Sequence, residues 1–146
     1  MKTVITVFFT LTIMLVSQAD AQVAKNLGDL TNGGRYKLNL TSSADNYCFI
    51  KLDDLSNGSA YVKFWDKQVN AVGYLYRDAS NGDQCVLLNP MNKGVKWKLQ
   101  AKSNGWIFIH PSNSNFAVSA DDLRNLKLKI TKNSGKSDQL FELEEQ

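Results

Sequence analysis

The residues of this 146-residue chain whose types could do chemistry are few: two Asp-Asp pairs, one histidine, two cysteines and three tryptophans. Asp53-Asp54 and Asp121-Asp122 are the candidates for acid–base work. Adjacent acids on one backbone point to different sides, however, and glycoside hydrolysis needs two carboxylates facing one bond. His110, beside Pro111, has no second histidine to share a metal and no serine or cysteine motif to mark a nucleophile. The stretch from Asp53 has Asn57 fifth and Gly58 sixth, as a calcium loop would. Yet Leu55 takes the third ligand position and Phe64 stands where the bidentate glutamate belongs, so the EF-hand reading fails. Gly33-Gly34 and Gly82 introduce strands rather than helices, which removes a phosphate loop. The sequence predicts no enzyme, no metal and no cofactor.

The destination of the chain is written at its start. Lys2 is a short positive region, residues 3–16 carry no charge, and Ala19-Asp20-Ala21 places small residues where signal peptidase needs them. Residues 1–21 are expected to be a cleaved signal peptide, with the secreted protein beginning at Gln22. The apolar run is too short for a bilayer span, and no second one follows. Residues 22–146 are expected to be one extracellular domain, of a size that can bury its own core, and a monomer. The removed segment has one Lys and one Asp, so the formal charge stays at +3. With no basic stripe along the sequence, nucleic acid is not the expected partner. In an oxidising compartment Cys48 and Cys85 are expected to form a disulfide. Asn39-Leu40-Thr41 and Asn57-Gly58-Ser59 are N-glycosylation triplets at Asn39 and Asn57.

What must position these residues is a succession of strands. Short runs rich in aromatic and β-branched residues alternate with Asn, Gly, Ser and Asp. They fall at 36–40, 47–52, 60–65, 72–77, 84–88, 95–100, 106–110, 116–119, 126–131 and 140–144. Leu126-Lys127-Leu128-Lys129-Ile130 and Val95-Lys96-Trp97-Lys98-Leu99 alternate as half-buried strands do. No window has the period of a long amphipathic helix. The fold class is all-β, a sandwich or barrel of ten to twelve short strands.

The chain also echoes itself. Asp53-Asp54-Leu55-Ser56-Asn57 returns as Asp121-Asp122-Leu123-Arg124-Asn125, and each copy lies between the second and third of four strands. The unit that holds the later copy ends in Gln139-Leu140-Phe141. Four-strand units closing on a Gln-x-aromatic motif resemble the repeats of a β-trefoil, in particular those of ricin-B-like lectins, whose motif is Gln-x-Trp. The resemblance implies three units, the first over 33–78 and the third over 104–146. The middle stretch, 79–103, offers only two strands, so a two-repeat sandwich or barrel is the alternative.

The resemblance implies a sugar-binding protein with no catalysis. In such repeats an early Asp, an aromatic platform on the third strand, and an Asn and Gln near the fourth hold the ligand. Trp65 is the platform candidate of the first unit, but the early Asp position falls at apolar Phe49 or Ile50. The third unit has Asn133 and Gln139, with Ala117 at the Asp position and Ile130 in place of the ring. Asp53, Asp54, Asp121 and Asp122 could supply carboxylates from the turns. Set against this, Asp pairs often start turns by bonding their own backbone, and Trp65, Trp97 and Trp106 can be core. Phe64 and Trp65 point to opposite faces, so one of them must look outward. The expected partner is a glycan, or alternatively an extracellular protein bound through loops by a ligand, protease inhibitor or effector.

Overall fold

The computed structural model describes residues 21–65, 73–77, 85–88 and 91–146, with the side chains of Val86 and Leu87 outside the description; the predicted signal peptide lies almost wholly outside it. The described residues form ten strands joined by turns and two single-turn 3₁₀ helices. The strands are β1 (Arg35–Leu40), β2 (Ser43–Ser56), β3 (Ser59–Trp65), β4 (Gly73–Arg77) and β5 (Cys85–Leu88). They continue with β6 (Trp97–Lys102), β7 (Gly105–Ile109), β8 (Phe116–Asp122), β9 (Lys127–Lys132) and β10 (Phe141–Glu145). Each predicted run becomes a strand. The largest difference is β2, which starts four residues early because Ser43 pairs with Leu40 after a register shift.

Six strands close on themselves. β1 pairs with β2, β2 with β3, β3 with β6, β6 with β7, β7 with β10, and β10 returns to β1, all antiparallel. This closed barrel carries two further hairpin strands at each of two places, β4–β5 on β3 and β8–β9 on β7. The barrel alternative of the sequence reading is the observed architecture. In the third unit β7 and β10 both sit in the barrel and flank the β8–β9 hairpin. In the first unit the fourth strand, β4, pairs with β3 and β5 instead of returning to β1, so the two units share strand order but not closure.

Local sequence accounts for the turns and the layers. The β2–β3 hairpin turns at Asn57-Gly58, both with positive φ (50° and 71°), the backbone of a type I′ turn that Asn-Gly favours. Inward positions of β2 and β3, such as Ile50, Leu52, Val62 and Phe64, are buried, while their sequence neighbours are not; on β1 the alternation ends at Leu38, where Asn39 is buried as well. Trp106-Ile107-Phe108-Ile109 breaks this alternation because β7 is covered on both sides. Phe108 stacks on Phe141 in the barrel, with ring centres 5.3 Å apart. Ile107 and Ile109 pack outside it with Ala117 and Leu140. Gly105 (φ 143°) brings β7 close to β10: a Cβ there would meet the Phe141 carbonyl oxygen at 2.8 Å.

The structure overturns the expected disulfide. Cys48 and Cys85 are free thiols. Cys48 lies opposite Leu38 on β2, and Cys85 opposite Arg77 on β5. Two strands separate them, a walk of roughly 14 Å along the sheet at ordinary strand spacing, against a Cα separation of about 4.4–6.8 Å that a disulfide tolerates. Burial raises both thiol pKa values, outweighing the opposing charge of Arg77 at Cys85, which is pushed up to about 12. Both are protonated, poorly reactive thiols at neutral pH. Glycosylation of Asn39 is also incompatible with this fold, since its side chain is only 4% exposed on β1; Asn57 is exposed on its turn.

Candidate functional site

The outward positions of β1 to β4 build one continuous face. Alternation sends Arg35 and Lys37 outward from β1, Phe49, Lys51 and Asp53 from β2, and Tyr61, Lys63 and Trp65 from β3. Register then sorts them into rows across the strands. Arg35 lies opposite Lys51, Lys51 opposite Lys63, and Lys63 opposite Tyr74. On one side of this row lies Lys37–Phe49–Trp65, and on the other Asp53–Tyr61. A line of three cations therefore runs between two rows that carry aromatic rings.

The rings seat the cations. The Arg35 guanidinium lies over Trp65, 4.5 Å from its centre, and the Lys63 ammonium is 6.0 Å from Trp65 and 5.5 Å from Tyr74. Lys37 lies over Tyr47 at 4.8 Å, and Lys93 and Lys96 over Tyr61 at 5.5 and 5.6 Å. Such contacts hold an ammonium or guanidinium in place by the negative face of the ring. The carboxylates of the face are engaged: Asp53 with Lys51 (2.9 Å), Asp54 with Lys96 (2.9 Å) and Glu144 with Lys37 (3.7 Å).

Beneath the face the buried Tyr74 hydroxyl donates a short hydrogen bond to Asp53. Burial, and then the Asp53 carboxylate, push the Tyr74 phenol up to about 12. Burial tends to raise Asp53, but the hydrogen bonds from Tyr74 and Lys51 and the charges of Lys51 and Lys63 together hold it below its usual range. A phenol raised in the folded state contributes stability that is whole below its unfolded pKa near 10 and is lost as pH rises through about 12. A depressed carboxylate contributes stability present above its unfolded pKa and lost as pH falls through the folded one. Tyrosine absorbance titrated with alkali should show a late phase from the Tyr74 phenol. Tyr74→Phe should abolish that phase and move the Asp53 carboxyl, followed by NMR, toward its usual range.

The residues that the sequence singled out do not converge. Asp53 and Trp65 share the outer face, separated by the cationic row. Asp54, with φ 54° at the bulge that shifts the β2–β3 register, lies beside Lys96. The other four belong to the third unit. Asp121 pairs with Lys129 (2.7 Å), while Asp122 accepts from the Asn125 backbone and side-chain amides, a turn-bracing role. Asn133 donates to the Ser114 carbonyl and ties down the β7–β8 connection. Gln139 is buried: its oxygen accepts from Ser134 and Gly135, and its amide donates to Thr131 Oγ1 and the Lys132 carbonyl. Trp97 and Trp106 are core, whereas Trp65 is half-exposed.

Sequence reasoning missed the cationic row. Its signal was the paired alternation Phe49-x-Lys51-x-Asp53 and Tyr61-x-Lys63-x-Trp65, but only register brings Arg35 beside them. Elsewhere, Trp106 lines a cavity of about 440 Å³ with Lys25, Thr41, Asn104 and Glu142, but its own N–H is taken by the Ala24 carbonyl at 2.8 Å. His110 packs edge-on against Trp97, and its Nδ1 accepts from the Ser112 amide. Burial, aided by Arg77, lowers its pKa, so the imidazole is neutral at pH 7. Among the described residues no cluster of three or more His, Cys, Asp or Glu could hold a metal ion, and no helix is long and apolar enough to cross a membrane. Compared with family models, with curated proteins and with solved structures, the chain matches none.

Proposed function

We propose that this chain is an exported, non-enzymatic binding module that takes carbohydrate on the outer face of β1 to β4. The observation that carries the reading is the side-by-side placement of rings and polar side chains on one open sheet face. Sugars present hydroxyls and acidic groups to charged side chains, and C–H groups to the edges of rings. Export rests on residues 1–21, and a glycan on exposed Asn57 goes with it. A trefoil ancestry is part of the proposal, supported by the third unit, where barrel strands flank a hairpin and Gln139 stands two residues before Phe141.

The test is a glycan array probed with protein secreted by cells expressing the full chain, comparing wild type with Trp65→Ala after both are shown to be folded. Saturable binding that weakens at least about tenfold in the variant, the loss of one aromatic contact with its seated cation, is the expected result. Binding to no glycan of any kind would end the reading. It would favour the second one, a protein ligand acting through loops, for which Met91, 93% exposed on a turn, is the supporting observation.

A further inference from the structure

The row Arg35–Lys51–Lys63 sets like charges directly opposite one another across antiparallel strands, an arrangement that destabilises a sheet. Asp53 relieves only part of it, since its ion pair is with Lys51. Among the described residues Arg35 and Lys63 rest on rings, and Lys63 acts on Asp53 through its charge without an ion-pair contact. The fold thus holds two cations outward at fixed positions, where a bound anion would remove a repulsion already present. The spacing of neighbouring strands sets the three residues about 5 Å apart at the backbone, and from there Arg35 leans over Trp65, Lys51 reaches Asp53 and Lys63 lies between Trp65 and Tyr74. Cations spread in this way across three strands fit a chain that carries repeated negative charges.

The rings decide between polyanions. A neutral sugar or a nucleobase needs a bare ring face on which to stack. Here Trp65, Tyr47 and Tyr61 each carry a cation over the ring. What such a surface offers a ligand is ammonium and guanidinium held in place, with ring edges between them. We propose that this row holds a linear polysaccharide carrying carboxylate or sulfate groups, an inference that rests on the carbohydrate-binding reading and names its ligand class.

The experiment measures binding of the secreted protein to immobilised heparin and polygalacturonate, to dextran and a panel of neutral glycans, and to single-stranded oligothymidylate. The expected result is saturable binding to both acidic polysaccharides, weakened strongly by about 0.5 M salt. Arg35→Gln and Lys63→Gln should each weaken it about tenfold, as loss of a charge-assisted contact does. Lys132→Gln, on β9 outside the face, should leave it unchanged. Binding to neutral glycans alone would overturn this inference and leave the carbohydrate reading standing. Binding to no polysaccharide, acidic or neutral, would end both. Equal or tighter binding of oligothymidylate, or acidic binding indifferent to Arg35→Gln and Lys63→Gln in folded protein, would overturn the inference as well.

Discussion

Trp97→Ala is expected to lose about 3–5 kcal/mol of folding stability, a large part of the roughly 5–15 kcal/mol that a domain of this kind has. Trp97 is 0% exposed at the head of β6, opposite Ala60, which is equally buried. The small residue makes room for the large one, so truncation leaves a cavity that the rigid barrel wall cannot collapse into. The indole N–H also donates to the Leu75 carbonyl at 3.0 Å, tying β6 to the β4–β5 hairpin. Two losses therefore coincide, an emptied volume and an orphaned carbonyl. Thermal unfolding followed by circular dichroism should fall by roughly 10–20 °C. Trp97→Phe, which keeps a ring but loses the N–H, should fall by less than half as much. Equal losses in the two variants would show that the hydrogen bond, not the volume, dominates.

Gln139→Leu should cost about 3 kcal/mol despite replacing a polar residue by an apolar one of similar size in a site only 1% exposed. Ordinarily such a change suits a core. Here the amide satisfies groups that have no substitute: the backbone N–H groups of Ser134 and Gly135, the Thr131 hydroxyl and the Lys132 carbonyl. Those bonds fold the β9–β10 connection over the barrel, so the damage should localise. Hydrogen exchange at Ser134 and Gly135 should accelerate far more than exchange in β1 or β2. Gln139→Glu keeps the acceptor and loses the donors, and should fall between. If glycan binding per folded molecule changed in either variant, Gln139 would have a ligand-side role that its burial argues against.

The ten strands were legible because the half-buried pattern is local. Lys127-Leu128-Lys129-Ile130 states which side faces in, and Asn57-Gly58 states where a hairpin turns. Closure was not legible, because it depends on the β3–β6 and β7–β10 pairings, which join residues far apart in sequence through backbone groups that every residue carries. The same gap explains the disulfide. Two cysteines behind an expected signal peptide invite pairing, and only strand order shows that β3 and β4 stand between them. Gln139 and Asn133 were legible as polar residues in a lectin-like position, yet polarity says nothing of burial, and both proved to be braces. The cationic row lay between these cases. Its members on β2 and β3 could be read from alternation, but the contribution of Arg35 required the register of β1.

Closing six strands into a ring leaves few unpaired backbone edges, and the two that end the sheet path belong to the outlying hairpins, β5 and β9. An open edge is a template on which another chain can add a strand, and lysine is among the residues that discourage it. β9 carries Lys127, Lys129 and Lys132 within its six residues, while Cys85 of β5 lines a groove with residues 126–129. The two edges thus shelter near each other without pairing, and the charged one guards the approach. At this end of the sheet it is those lysines, and not barrel closure, that discourage the addition of a strand from another chain.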